Sequence, residues 1–443
     1  MNRLFRRNAV QPLTNLLQKS HVADLGFLLP HFSETEQLGL VAHLKDEERR
    51  AQVLAEADKD VASRLLGVMP PEQAVELLQH MEPDDASDLL QLMDEEAAES
   101  LLQLMREGRD VVEELSQYDQ ETAGGIMSPR FFSLLGDTTA GEAIEELQRV
   151  HDDLEMVFYV YVVSELEQLL GVLSLRQLVT TKRDTKLIDL MTSDVVSVTP
   201  DVDQEEVAKI ASRYGLLAVP VVDEANKLIG IITVDDVIDV LREEATEDIL
   251  RMAGAGDDLA ESDGLFRSMA LRARWLFVVA LGGAACAALL ATYAVRIDAF
   301  IPVVFLVPLV LGLSGMIGLQ GTTVVMQRLL QGRLGLKLAS HVLRQGVAGM
   351  LLGVVFGLIC AFLYWIWIAN SGTPGSLDPL VASAALGLAV CGAMAISAMI
   401  GAVLPIVFSR VGIDPALSAG PLGTIVVDLL AMLAFLAIGS FWL

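Results

Sequence analysis

Hydrophobic residues dominate the last two fifths of the chain, in long stretches separated by short polar segments. Each stretch is long enough to cross the hydrocarbon core of a bilayer, which is about 30 Å thick and takes about 20 residues of α-helix. The second stretch is too long for one ordinary span. The pattern predicts five membrane-spanning helices, at about 272–295, 299–330, 341–369, 380–409 and 417–441.

The second stretch carries glycines at three-residue spacing, within LVLGLSGMIGLQGTTVVMQR. Such a run lets two helices approach closely, or lets a helix break around a polar path. Gln320, Thr322 and Thr323 would supply polar groups to that path. Both interpretations, close packing and pore lining, stay open for Gly312, Gly315, Gly318 and Gly321.

A shorter pattern repeats near the N-terminus, as PEQAVELLQHM from Pro71, PDDASDLLQLM from Pro83 and EEAAESLLQLM from Glu95. Leucine and methionine recur every 12 residues, and acidic residues open each unit, as is typical of the first turn of a helix. Short amphipathic helices of this kind bury their apolar faces only by stacking. The repeat predicts an all-α helical solenoid whose core includes Leu77, Leu89, Leu101, Met81, Met93 and Met105.

A second repeat, of mixed α/β character, follows the helical one. The segment GGIMSPRFFSL is echoed by DLMTSDVVSVTP, and LLGVLSLRQLV is echoed by KLIGIITVDDVI. In each unit a β-rich segment, VFYVYVV or LAVPVVD, precedes a strand led by glycine and then a helix. This order predicts two small βαβ-type modules that pack as a pair.

Charge divides the chain at the same place as hydrophobicity. Eight basic and four acidic residues follow residue 270, so this part carries +4 and, against the total of −27, the part before it carries −31. An acidic region of this size repels nucleic acid and attracts cations. We therefore expect divalent cations as ligands and no nucleic-acid partner. The three cysteines lack the spacing of a zinc site.

The placement of lysine and arginine sets the expected orientation of the spans in the membrane. With the N-terminus in the cytoplasm, only Arg296 falls on the outer side, and five spans place Leu443 outside. The basic residues at the cytoplasmic ends are Arg272, Arg274, Arg328, Arg333, Lys337, Arg344 and Arg410.

One carboxylate stands inside the last apolar stretch, at Asp428 in GTIVVDLLAMLAF. A charge at the centre of a membrane helix costs about 2.5–3.5 kcal/mol on insertion scales, so it indicates a functional site. Small residues lead to it from Asp414, which precedes a proline and is expected to cap the last helix. Mg²⁺ holds its waters and prefers one or two such carboxylates. Spacing alone leaves Mn²⁺, Ca²⁺, a proton or a protonated helix contact open.

The α/β repeat resembles a tandem CBS (cystathionine-synthase-type) pair, a regulatory module that often binds adenosine nucleotides, which makes ATP a candidate ligand. In that family a Ser/Thr-x-x-Asp motif after the last strand holds a ribose. The second repeat matches the motif with Thr233 and Asp236, whereas the first has Ser174 and Gln177. The positions that resemble the other nucleotide contacts are Tyr159 and Arg176.

The whole chain resembles the MgtE family of magnesium channels and transporters. The most specific segments are TAGGIMSP, DQEEVAKIASRYGLLAVPVVDE, TVDDVIDVLREEATEDI and GIDPALSAGPLGTIVVD. The resemblance implies a homodimer in the lipid bilayer, with Mg²⁺ as both the permeant and the regulatory ion. It also implies an acidic helical N domain at 1–120, tandem CBS domains at 121–243, a connecting plug helix at 244–268 and a five-helix transmembrane domain at 269–443.

The same resemblance implies the site residues, motif by motif. Asp428 matches the membrane aspartate that binds the permeating ion, and Asp414 matches the cytoplasmic pore-end aspartate. Met316 is a departure, since the family's Gly-Gly-Asn-x-Gly-x-Gln segment has asparagine there. The regulatory carboxylates fall on Asp203, Glu205, Asp236, Asp239, Glu244, Glu247 and Asp248, with Asp84 and Asp88 as the N-domain candidates.

The sequence thus predicts a multidomain integral membrane protein that conducts Mg²⁺ and is closed by Mg²⁺ on its acidic cytosolic domains. A proton-coupled secondary transporter of Mn²⁺ or Co²⁺ stays open as the alternative. An intramembrane aspartyl protease would need two carboxylates that share a proton. Asp414 and Asp428 are fourteen residues apart on what is predicted to be one helix, about 21 Å at helical rise. We therefore expect a protein that is not an enzyme.

Overall fold

The structure is a computed structural model, and it describes residues 10–150, 154, 157–254, 265–294, 304, 306–330, 338–371 and 378–442. The chain forms two compact units, Met1–Arg242 and Glu243–Leu443. Four residues of the orientation argument, Arg296, Arg333, Lys337 and Leu443, lie outside the described residues.

The N-terminal part of the first unit is a run of short stacked helices, which confirms the predicted solenoid. Pro71 and Pro83 each occupy the first turn of a helix, where the missing backbone N–H is not needed. The repeated leucines Leu77, Leu89 and Leu101 are each 5% exposed or less. The helices are Val10–Lys19, Val22–Leu28, Glu34–His43, Glu47–Ala55, Lys59–Val68, Pro71–Gln79, Pro83–Gln91, Glu95–Leu104 and Arg109–Leu115.

The α/β repeat forms two modules, each built on an antiparallel strand pair. In the first module β1 (Ser133–Leu135) runs parallel to β2 (Tyr159–Val163), which pairs antiparallel with β3 (Leu169–Ser174). In the second, β4 (Ala218–Val222) pairs antiparallel with β5 (Leu228–Thr233). The helices are Ala140–Val150 and Leu175–Thr180 in the first module, and Gln204–Tyr214 and Val234–Met252 in the second.

The two modules exchange the segments that precede them. Met127, before the first module, packs on Gly230 of β5 in the second. Met191, before the second module, packs on Gly171 of β3 in the first. A β-carbon at either glycine would push the methionine away, so glycine allows the close approach. Backbone hydrogen bonds follow the same exchange, between Ser128 and Ile231 and between Thr192 and Val172.

Within the described residues, the second unit has five helices that are long and apolar enough to cross a membrane. The fourth of them packs against the second, third and fifth, and the first packs on the fifth. With the solenoid and the paired modules, they confirm the predicted fold class. The spans are, in order, Leu265–Ala294, Val307–Leu330, Leu338–Ser371, Pro379–Val411 and Pro421–Trp442.

Within the described residues, the second span is one unbroken helix of 24 residues, Val307–Leu330, an ordinary length. The start of the predicted stretch, at 299–303, lies outside the described residues. Two of its glycines serve close packing. A β-carbon on Gly321 would lie 2.9 Å from the Ala398 carbonyl oxygen, and the backbone of Gly318 meets that of Gly401. Gly312 faces open space, with nothing within 4 Å of an added β-carbon. Small residues thus bring the second and fourth spans to backbone contact.

Gly401→Ala is expected to destabilise the membrane unit, because its methyl group would overlap the Gly318 carbonyl oxygen. Overpacking of this kind costs about 1–3 kcal/mol. The measurement is the midpoint of thermal unfolding of the purified protein in detergent. Gly312→Ala is the matched control, since the same change there meets open space. Equal midpoints for the two variants would contradict the packing described here.

Candidate ion path and regulatory carboxylates

Asp428 is half-buried in the fifth span, two turns from its start. Its carboxylate faces the second span, where a β-carbon on Gly315 would lie 3.4 Å from Oδ1. The preceding residue, Val427, is buried and packs on Gly318. Within the five described span helices, Asp428 is the one acidic residue. The predicted ion-binding carboxylate therefore lies beside the glycine-rich side of the second span.

Asp414 does not cap the fifth span, which corrects the expectation from the sequence. It caps a 3₁₀ turn, Pro415–Ser418, in which the Ala416 N–H donates to Asp414 Oδ1 at 2.8 Å. A separate helix starts at Pro421, because proline suits the first turn of a helix. Asp414 and Asp428 thus lie on different elements, and the separation of about 21 Å for one continuous helix does not apply to them.

The other carboxylate oxygen of Asp414 is engaged by an arginine that the sequence analysis missed. Arg251 Nη1 donates to Asp414 Oδ2 at 2.6 Å. Arg251 lies in the last turn of the connecting helix (Val234–Met252), and it also pairs with Glu247 one turn earlier. The spacing of Glu247 and Arg251 was the available signal, since residues four apart share a helix face. Glu247, a predicted Mg²⁺ ligand, is thus bridged to Asp414 by a guanidinium.

An acidic group in the first unit joins the solenoid to the second α/β module. Burial, and then the carboxylates of Asp236 and Asp88, raise the pKa of Asp85 to about 7. Burial raises the pKa of Asp236 to about 6, although a hydrogen bond from Thr233 opposes the change. Burial also raises the pKa of Asp88 against the opposing charge of Lys59. Carboxylates that resist ionisation together form a place where a bound cation is stabilised.

Asp85 is the member of this group that the sequence analysis missed. The predicted N-domain ligands, Asp84 and Asp88, are each 9% exposed. Asp88 Oδ2 accepts a hydrogen bond from Lys59 Nζ at 2.7 Å. Three acids within five residues of one short helix give no periodicity from which to choose, so only the tertiary contact with Asp236 singles out Asp85.

Two predicted ligands lie at the start of the helix Gln204–Tyr214. Asp203 caps this helix by accepting a hydrogen bond from the Glu205 N–H at 2.8 Å. Glu205 in turn pairs with Lys209, at 2.7 Å between Oε1 and Nζ. Local contacts therefore satisfy both carboxylates in this structure.

The remaining predicted ligands lie on the connecting helix. Asp239 Oδ1 is 3.4 Å from Arg242 Nη1, and Glu244 and Asp248 are half-buried. Within the part of the chain that the structure describes, no group of three or more His, Cys, Asp or Glu side chains is arranged to hold a metal ion. The fold thus places Asp236 near Asp85 and joins Glu247 to Asp414 through Arg251, without assembling the predicted carboxylates of the described residues into one site.

Family models cover most of the chain in three parts. The MgtE intracellular N domain matches residues 20–121, the CBS domain matches 123–183 and 187–243, and MgtE, described as a divalent cation transporter, matches 307–438. The Magnesium transporter MgtE of Thermus thermophilus is 36% identical over 335 residues, which is 74% of this chain and 72% of that protein. The chain belongs to the MgtE family.

Two further similarities support the MgtE assignment. The Magnesium transporter MgtE of Enterococcus faecalis is 32% identical over 335 residues, 75% of this chain and 71% of that protein. A solved structure, the cytosolic domain of the Mg²⁺ channel MgtE in complex with ATP, is 33% identical with a TM-score of 0.52, and covers 54% of this chain and 98% of that one. These relatives are named transporters and not enzymes, which confirms that part of the prediction.

The MgtE chain assembles the predicted nucleotide positions only in part. Tyr159 lines a small cleft together with Tyr161 and Arg130. Arg176 is exposed on the helix Leu175–Thr180 and is not among the residues that line this cleft. Of the two predicted nucleotide residues, Tyr159 alone lines this cleft, and nucleotide binding stays a prediction.

Both Ser/Thr motifs of the MgtE chain stand at the start of a helix, and Ser174 caps its helix. Ser174 Oγ donates to Gln177 Oε1 at 2.8 Å, and the Gln177 N–H donates back to Ser174 Oγ. Thr233 Oγ1 donates to Asp236 Oδ2 at 2.7 Å in the equivalent place after β5. The groups that the resemblance assigns to a ribose are thus hydrogen-bonded to each other.

The raised pKa values predict that the first unit loses stability as pH rises. Asp85 and Asp236 both have pKa values above the ordinary 3.8, so they favour the folded state when protonated. Their contribution is full below about pH 4 and is lost as pH rises through 6 and then 7. In a buffer free of divalent ions, the midpoint of thermal unfolding should therefore fall between about pH 5 and pH 8.

Asp85→Asn is expected to make the midpoint of thermal unfolding less dependent on pH. At about pH 8 the variant should unfold at a higher temperature than the unmodified protein, because it lacks a charge that the folded state disfavours. Glu99→Gln is the matched control, since Glu99 is an exposed acid of the same solenoid. A fall as steep in Asp85→Asn as in the control would show that the acidic group does not set the pH dependence.

Proposed function

We propose that this MgtE-family protein is a channel for divalent cations, chiefly Mg²⁺, that mediates uptake across a bacterial inner membrane and closes when Mg²⁺ binds its acidic cytosolic domains. One observation carries the proposal: Asp428 is the one acid in the five described span helices, and its carboxylate faces Gly315 of the second span. A carboxylate at this depth is costly unless it serves an ion or a polar partner. The relatives named magnesium transporters support the choice of ion.

Mg²⁺ suits Asp428 for a chemical reason. It gives up its waters reluctantly and binds proteins through one or two carboxylates. One Asp428 per chain, doubled in a homodimer, would present two carboxylates to a hydrated ion. Met316, which follows Gly315 and is 57% exposed, offers only a thioether, a soft ligand that Mg²⁺ does not favour. Selectivity is therefore assigned to Asp428 and not to Met316.

The proposed regulation rests on the buried acidic group around Asp85. Burial first, and then the charges of Asp236 and Asp88, raise the pKa of Asp85, and a divalent ion between these carboxylates would offset both effects. Moving a gate from mostly open to mostly closed takes about 5.5 kcal/mol of differential binding, more than one weak surface site supplies. Several sites must act together, and the proposed ligands are Asp84, Asp88, Asp203, Glu205, Asp236, Asp239, Glu244, Glu247 and Asp248.

Topology and assembly belong to the same proposal. The N-terminus lies in the cytoplasm and the C-terminus outside, following the basic residues at the span ends.

ATP binding at Tyr159 and Arg176 is also proposed, supported by the ATP complex of a relative's cytosolic domain. The proposed domains are 1–120, 121–243, 244–268 and 269–443, with the connecting helix running unbroken across the boundary at residue 243.

Asp428→Asn is expected to remove most Mg²⁺ flux, because it keeps the shape of the side chain and deletes the charge that attracts the cation. The measurement is Mg²⁺ entry into liposomes that contain the purified protein and a fluorescent indicator. Asp378→Asn is the matched control, since Asp378 is an exposed acid that caps the fourth span. Unchanged flux through a well-folded Asp428→Asn protein would refute the ion path.

The same liposomes separate the channel from the alternative, which Asp428 also permits because a carboxylate can carry a proton. Channel flux should persist without a proton gradient. Flux that requires the proton gradient and favours Mn²⁺ or Co²⁺ would show that the protein is a proton-coupled transporter and not a channel.

A further inference from the structure

The end of the connecting helix, with Gly254 just after it, meets the segment from Asp414 to Pro421 at three points. Arg251 Nη1 lies 2.6 Å from Asp414 Oδ2. A β-carbon on Gly420 would lie 3.1 Å from the Arg251 carbonyl oxygen, and one on Gly254 would lie 2.6 Å from Pro421 Cγ. The two glycines let the backbones approach, and the arginine joins the two elements by charge.

Charge makes this contact dependent on Arg251. The same face of the connecting helix carries Glu244, Glu247 and Asp248, because residues three and four apart share one side of a helix. Glu247 and Asp414 both pair with the Arg251 guanidinium. Without that guanidinium, the two carboxylates would face each other across the contact and repel.

Arg251 also occupies the free side of Asp414. Oδ1 accepts the Ala416 N–H at 2.8 Å, and Oδ2 accepts Arg251 Nη1 at 2.6 Å. The exposed fraction of the side chain is 38% for Arg251 and 27% for Asp414, so the pair is partly shielded from water and stronger than a fully exposed one. A cation that reaches Asp414 must therefore displace the guanidinium first.

We propose that the Arg251 guanidinium takes the place of a bound cation and holds the connecting helix against the cytoplasmic end of the ion path at Asp414. We call this contact between Arg251 and Asp414 the latch. This inference rests on the function proposed above. The latch holds the path closed without a bound ion at Asp414, while Mg²⁺ acts through the other regulatory carboxylates. A fraction of the channels therefore stays closed when cytosolic Mg²⁺ is absent, and the Arg251 contact determines how large that fraction is.

The test uses the full-length protein in vesicles that are loaded with Mg²⁺ and diluted into EDTA. Molecules whose cytosolic domains face the bath then lack regulatory Mg²⁺. Arg251→Ala is expected to raise Mg²⁺ efflux about fivefold, which corresponds to about 1 kcal/mol. Arg251→Lys should give an intermediate rate, because lysine keeps the charge but not the fork of donors. Arg410→Ala is the matched control, since Arg410 is exposed in the last turn of the fourth span.

A second readout does not depend on transport. Met252→Cys and Pro421→Cys, in a protein whose three native cysteines are replaced by alanine, report the contact through a bifunctional thiol reagent. Pro421 Cγ lies 2.6 Å from the place of a β-carbon on Gly254, two residues after Met252, and Gly420 is left unchanged. The crosslinking yield in EDTA is expected to fall when Arg251→Ala is added and to stay high when Arg410→Ala is added.

One outcome would contradict the role of Arg251, and another would contradict the proposed channel function. Efflux and crosslinking in Arg251→Ala that both match Arg410→Ala would overturn the latch. Efflux no faster than from protein-free vesicles, in every variant, would overturn the proposed function instead. In that case the crosslinking yield decides by itself whether Arg251 holds the connecting helix in place.

Discussion

The cost of burying carboxylates close to one another is the constraint on which the rest of this protein depends. Residues 1–270 carry a net charge of −31. Where their acids come closest, around Asp85, burial and neighbouring charge raise the pKa well above its ordinary value. A base joins this group where Lys59 pairs with Asp88, and in the second unit Arg251 pairs with both Glu247 and Asp414. The compactness of the acidic parts therefore depends on nearby positive charge, which comes from lysine and arginine side chains or from a bound cation.

Periodicity predicted those parts of the fold in which one kind of interaction decides the structure. The 12-residue spacing of Leu77, Leu89 and Leu101 predicted the solenoid, because short helices can bury such residues only against each other. Apolar length predicted the spans for a similar reason, since lipid excludes an unpaired backbone. Asp428 stood out in the sequence because a charge in an apolar helix has few structural explanations.

Contacts between distant segments could not be predicted in this way. Nothing in PDDASD separates Asp85 from Asp84, because the choice is made by a module that follows more than a hundred residues later. Arg251 and Asp414 are 163 residues apart, and neither has a local pattern that indicates the other. The break before Pro421 was hidden because the small residues around it are as compatible with a helix as with a turn.

The exchange of leading segments between the two α/β modules limits how this protein can be recombined in evolution. The segment of Met127 completes the second module and that of Met191 completes the first, so a cut between the modules would leave both sheets with an open edge. Open edges invite pairing with foreign strands. Gene rearrangement can therefore transfer the two α/β modules together, but a single module transferred alone would be prone to aggregate.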